Sequence, residues 1–271
     1  MFKVVVCILI LASFSAWADE GKRTFLIGIQ ERPLYREKSP SGEWSGIDID
    51  IVQAVFAQSP FQFELVESPW QRILKEVELG AYDMALSAAK TPERERYARF
   101  STVPFRQGHN MLFVGTEHLQ ALQNITQLSD LKGRKFKLGV LRGISYSDEF
   151  DQLSNQSWFK QSLVVLDQAD RLPQMLLLGR IEGYLDSEYG GQQRVNTHSE
   201  YAGKIKALAY MTTEQEAQTF LMFSKLSVSE EDVAVFDAAL AQIRELGILE
   251  QILNHRIAIR PAESVKLSSA P

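Results

Sequence analysis

Cysteine is nearly absent: Cys7 is the single one in 271 residues. It lies in the opening stretch MFKVVVCILILASFSAWA, where Lys3 supplies charge, Val4 to Phe14 an apolar core and Ala16-Trp17-Ala18 a small-residue cleavage pattern. These features read as a secretory signal peptide over residues 1–18. The apolar run is too short for a spanning helix. Cys7 has no small residues just before it and reads as leader core, not as a lipidation site. The mature chain would start at Asp19 without any cysteine. That excludes disulfide staples and demands a core of real size, which a chain 45% hydrophobic can build.

A second apolar segment of spanning length is also missing, so the mature chain is expected to be soluble. Positive charge is not in excess. Without Lys3, 28 basic residues face 34 acidic ones, which argues against a nucleic-acid partner. No low-complexity run and no repeat of fixed period occurs. His109, His118, His198 and His255 fit no catalytic or metal pattern, and no Gly-x-Ser-x-Gly nucleophile motif is present. Asp48 and Asp50 lack a third ligand at metal spacing and read as helix-start carboxylates. No catalytic residue, metal or cofactor is therefore expected.

The most informative stretch runs from Trp70 to Phe105. Trp70, Ile73, Leu74 and Val77 make one apolar face of a helix that Gly80 ends. Met84-Ala85-Leu86 reads as a buried strand. Thr91-Pro92-Glu93-Arg94 reads as a helix start, with Thr91 as cap and Pro92 in the first position. Arg94 then sits near a helix N-terminus just past a strand's C-terminal end, where open α/β sheets bind ligands. A guanidinium beside free N–H groups there suits a carboxylate.

Elsewhere the pattern alternates strands and helices. Thr24 to Ile29 and Phe61 to Glu67 read as strands flanking a helix that Ser45 or Gly46 opens. Met111 to Val114, Lys137 to Leu141, Leu163 to Leu166 and Thr219 to Phe223 are further strands. Ala169 to Leu178 is a helix burying Leu172, Met175 and Leu176, with Leu178 as a further candidate. Ser229 to Asp232 opens a long helix with the stripe Val233, Phe236, Leu240 and Ile243, and Ile248 to His255 adds a short one.

Several of these segments, in this order, resemble the periplasmic solute-binding proteins of family 3, the polar amino-acid type. Gly46 to Asp50 is similar to that family's Gly-Phe-Asp-x-Asp. Thr91 to Arg94 with Phe100-Ser101 is similar to its Thr-x-x-Arg and Phe-Ser. Leu128 to Val140 is similar to its entry to a second lobe. The likeness covers roughly residues 22 to 256. It implies an α/β fold of the type II periplasmic binding protein kind, two lobes of mixed sheet flanked by helices with a cleft between them. Residues 19–113 plus 211–260 would form lobe one, 114–210 lobe two and 261–271 a tail. Lys204 to Tyr210 would return the chain to lobe one.

The same resemblance implies a ligand set. Arg94 would clamp a ligand carboxylate. Trp70 either packs on the ligand or belongs to the core. Ser87 would add a hydroxyl, whereas a second expected hydroxyl position holds Ala89. Gly143 would offer backbone N–H groups and Ser145 a hydroxyl, with Ile144 standing where a threonine is usual. The carboxylate that receives an α-ammonium falls at Ser187, with Asp186 one residue earlier and Glu188 one later. Either a local slip brings Asp186 to the cleft, or the ligand is not an α-amino acid. The implied partners are a small-molecule ligand and an inner-membrane ABC permease, for a monomeric periplasmic protein. Two other roles remain open: a sensor docking on a membrane receptor, and a cyclohexadienyl dehydratase-like enzyme using an acid such as Glu31, Asp186 or Glu188.

Overall fold

The computed structural model describes residues 22–122, 124–208 and 217–256. The expected leader, the Asp19 start and the tail lie outside these residues. The chain opens with β1 (Thr24–Ile29), then a small hairpin of β2 (Glu37–Lys38) and β3 (Trp44–Ser45). Gly46 opens α1 (Ile47–Ala57) at φ +115°, and a Cβ there would meet the Tyr35 carbonyl oxygen at 2.6 Å. β4 (Gln62–Glu67) pairs in parallel with β1, and α2 (Trp70–Glu78) leads to β5 (Met84–Ala88), also parallel to β1. The single turn α3 (Pro92–Glu95) precedes β6 (Ala98–Phe100) and β7 (Arg106–Gly108).

The chain then crosses into a second sheet with β8 (Asn110–Gly115) and α4 (Leu119–Leu122). β9 (Leu138–Leu141), α5 (Asp148–Leu153), α6 (Ser157–Ser162) and β10 (Leu163–Leu166) follow. Next come α7 (Arg171–Leu177), β11 (Gly183–Ser187), α8 (Glu188–Thr197) and β12 (Ile205–Leu208). β13 (Ala217–Ser224) returns to the first sheet, and α9 (Glu230–Glu245) and α10 (Ile248–Arg256) close the described chain.

The strand order is β4-β1-β5-β13-β6 in one lobe, with β7 on β13, and β10-β9-β11-β8-β12 in the other. Both sheets repeat one plan: three parallel strands, then an antiparallel strand that has just arrived from the other lobe, β13 in the first and β8 in the second. Helices cover both faces. Along β8, Leu112 and Val114 join one core cluster while Met111 and Phe113 join another, as the two-residue strand period requires.

Three sequence expectations need correction. Lobe two begins at Asn110, not 114, because the ladder with β11 starts at the polar pair Asn110–Ser187, ahead of the apolar run. Ile205–Leu208 remains in lobe two, paired with β8, so the return to lobe one comes after it. Leu178 is 71% exposed, because α7 stops one residue earlier.

Lobe one is centred on Phe236 of α9. The rings of Phe25, Phe56, Phe61 and Phe223 have centroids 5.0, 5.1, 5.4 and 5.1 Å from its own. Phe236→Ala would remove the shared partner of all four, and we expect a loss of about 3–5 kcal/mol in a denaturant titration. A loss below about 1 kcal/mol would show that the cluster repacks.

Candidate ligand-binding site

The lobes face each other across a cavity of about 650 Å³. A second chamber of about 640 Å³ adjoins it, since Arg32, Trp70, Ser87 and Ile144 line both. These sizes suit small-molecule sites. The lobes touch around the cavity through polar bonds. Trp70 Nε1 donates to the Gly143 carbonyl at 3.1 Å, Gln30 Nε2 to the Asp167 carbonyl at 3.3 Å, and Tyr35 Oη to Ser187 Oγ at 3.2 Å. Arg32 bridges to Asp186 at 3.0 Å.

Arg94 takes its place from local chemistry. Thr91 is extended at the N-cap, its Oγ1 accepts the Arg94 N–H at 3.3 Å, and Pro92 fixes the first helical position. The guanidinium turns inward, donating to the Ala89 carbonyl at 2.8 Å and across the cleft to the Gly143 carbonyl at 2.7 Å. Those bonds use two of its five N–H donors. Burial lowers its pKa, with Tyr97 and Asp151 acting the other way. No ion pair joins it to a carboxylate among the described residues.

Ser87 is the strained point of the wall. Its φ is +57°, rare for a residue with a Cβ, and the pairing of β13 with β5 shifts register opposite it. The side chain is braced: Oγ accepts from Arg106 at 2.7 Å and donates to Thr219 Oγ1 at 3.0 Å. Arg106 in turn donates to Asp48 at 2.7 Å, and its guanidinium carbon lies 4.0 Å from the Tyr35 ring centroid. Burial pulls the Arg106 pKa down, but Asp48 and Tyr35 outweigh it and the net shift is upward.

Of the six residues singled out in the sequence, Arg94, Trp70, Ser87 and Ser145 line the cavity. Trp70 belongs to the core, packing with Ile73, Val77 and Phe100, and also lines both chambers. Ser145 Oγ donates to Asp151 at 2.6 Å. Gly143, at φ +71°, accepts bonds from Trp70 and Arg94 through its carbonyl.

Asp186 departs from the expectation. It is 0% exposed and does not line the cavity. Strand alternation puts it on the face of Tyr184, against α8, where Arg194 NH1 donates to Oδ2 at 2.6 Å. Its Oδ1 accepts from Arg32 at 3.0 Å and from the Ser187 N–H at 2.8 Å. Ser187, one residue on, is the one that fronts the cavity.

The sequence reading passed over Arg32, Tyr35 and Arg106, all of which line the cavity. The signal was available for two of them, since Arg32 and Tyr35 directly follow the C-terminal end of β1. Among the described residues, no cluster of three or more His, Cys, Asp or Glu is placed to hold a metal ion. None of the described helices is long and apolar enough to cross a membrane.

Two α/β lobes exchanging strands and closing over a polar cavity define a periplasmic binding protein-like fold. The chain belongs to the bacterial extracellular solute-binding proteins, family 3, whose model matches residues 26–256. Solved structures share the fold at low identity. A histidine kinase sensor domain with similarity to periplasmic binding proteins is 17% identical, covering 86% of this chain and 96% of its own, with a TM-score of 0.72. An amino acid ABC transporter substrate-binding protein from Streptococcus pneumoniae, bound to L-arginine, is 22% identical over 90% of this chain and 97% of its own, with a TM-score of 0.70. An ancestral amino acid-binding protein, a precursor of cyclohexadienyl dehydratase, is 18% identical over 86% and 95%, with a TM-score of 0.68. No curated protein matches the sequence.

Proposed function

We propose that the chain is exported to the periplasm, captures a small anionic or zwitterionic solute between its lobes and delivers it to an inner-membrane ABC permease. The carried solute is an amino acid or a related carboxylate. The observation that supports this most is Arg94: a buried guanidinium on the cavity wall whose bonds go to main-chain carbonyls. A carboxylate arriving there gains charge-assisted, bidentate hydrogen bonds. Trp70 would offer its ring to the ligand body, Ser87 and Ser145 their hydroxyls, and ligand exchange would need the lobes to open about the two crossovers.

A thermal-shift screen tests the reading. A binder at about a hundred times its Kd adds roughly 2.7 kcal/mol of stability. Carboxylic acids and amino acids should shift the melt and neutral sugars should not. A screen in which no acid shifts it would refute the proposal. Trp70→Phe keeps most of the packing and loses the Nε1 bond to Gly143. Affinity should drop about fivefold, equivalent to ~1 kcal/mol, with little change in melting temperature. Unchanged affinity would remove the indole N–H from the closure mechanism.

The likeness to a sensor domain supports a second reading, in which the closed form docks on a membrane receptor. Solute uptake that persists in a strain lacking this protein favours sensing; uptake that is lost favours transport.

A further inference from the structure

We infer that the cleft selects a dicarboxylate without an α-amine, held at one carboxylate by Arg94 and at the other by Arg32. This rests on the binding reading above and narrows its ligand class.

The first observation is where the negative charge goes. A cleft for an α-ammonium needs an acceptor carboxylate facing the ligand. Here the two fully buried acids near the cavity are both committed to guanidinium groups. Asp186 is bonded by Arg32 and Arg194, and Asp48 by Arg106 with Arg36 at 3.5 Å. Neither lines the main cavity. Glu250 does line it, but it is solvent-exposed and acts on Arg244 beside it.

The second observation is where the positive charge goes. Arg32, Arg94 and Arg106 all line the cavity. Arg94 is fixed toward Gly143 and Arg32 toward Asp186 and Ser187, so the two guanidinium groups are held at separate points of the facing lobe. Arg32 keeps spare donor capacity: its Nε–H is buried and meets no acceptor. Among the described residues lining the main cavity, Arg32, Arg94, Arg106 and Arg244 stand against a single acid, the exposed Glu250, with Asp186 and Asp48 behind Arg32 and Arg106. The carboxylates of a dianion meet guanidinium groups on that wall. An ammonium group would instead meet Arg32 at like charge, a repulsive arrangement in a poorly solvated site.

Side-chain alternation on β11 is what produces this reversal. With Ser187 at the cavity and Asp186 one residue back, the acid serves as the seat of Arg32 and no longer as a ligand partner. The turn from Arg32 to Arg36, with Leu34 at φ +72°, brings the guanidinium to that seat.

The test is calorimetric titration of the purified full-length protein with matched probes that differ only by the α-amine: succinate against L-aspartate and glutarate against L-glutamate. L-glutamine serves as the neutral zwitterion. The expected result is that at least one diacid binds tenfold or more tightly than its amino counterpart, and that glutamine does not compete. Arg32→Met should lower diacid affinity at least tenfold and erase the preference, while Arg32→Lys should retain part of it. Tighter binding of the amino acids overturns the inference and leaves the Arg94 carboxylate reading standing. So does diacid binding that survives Arg32→Met but is lost in Arg94→Ala. Binding of no probe by the folded wild type overturns the inference, whereas the wider reading falls only if no acid of any kind binds.

Discussion

Replacing Arg94 with alanine is expected to weaken binding of the proposed anionic solute by a hundredfold or more in Kd and to leave the protein folded. The size follows from the bonds a carboxylate would form. Hydrogen bonds to charged groups are worth about 1.5–3 kcal/mol each, and a bidentate pair therefore about 3–4 kcal/mol after the exchange of existing partners. Each 1.4 kcal/mol is tenfold in affinity. The structural cost is smaller. Arg94 gives up two main-chain carbonyl contacts, at Ala89 and Gly143, both at the margin of a cavity that water can enter. The helix cap survives, because Thr91 accepts from the Arg94 main-chain N–H. Titration calorimetry reads the affinity and a thermal melt reads the fold. Retained affinity in a folded variant would remove Arg94 from the binding site.

The second large effect is one of stability. Asp186→Ala should destabilise the protein by about 3 kcal/mol, the low end expected for breaking a buried ion pair. Arg194 and Arg32 lose a common partner, yet Arg194 keeps Asp170 through Nε at 2.8 Å and the Gly190 carbonyl at 3.1 Å. For a chain of this size the melting temperature should fall by about 6–12 °C. A contact residue for a ligand would behave differently: binding lost, melt unchanged. That second pattern would contradict the buried seat assigned to Asp186 and place its carboxylate at the solute.

These two residues also show what a sequence can and cannot disclose. Arg94 was legible because its position is set locally, by a capping threonine, a proline and a helix start within four residues. The long helix from Glu230 was legible for the same reason: Ser229 and Asp232 form its capping box, and its apolar stripe has a helical period. Asp186 was legible only as a choice. Alternation says that Asp186 and Ser187 face opposite ways, but which way fronts the cleft depends on where α8 packs. Arg106 was not legible, and of Arg32 only its place after β1 was, not its partner. Arg32 reaches the cleft through a turn with a left-handed leucine and an acid 154 residues away, and Arg106 through an acid 58 residues away. The start of the second sheet was not legible, because its first pair is the polar Asn110–Ser187, which depends on a partner far along the chain.

The most direct measurement is a crystal structure of the protein with the tightest acid from the titrations. The account predicts that acid between the two sheets, with one carboxylate about 3 Å from the Arg94 guanidinium nitrogens and Ser187, not Asp186, facing it. A ligand bound outside the cleft, or inside it with Arg94 still bonded only to Ala89 and Gly143, would contradict the account.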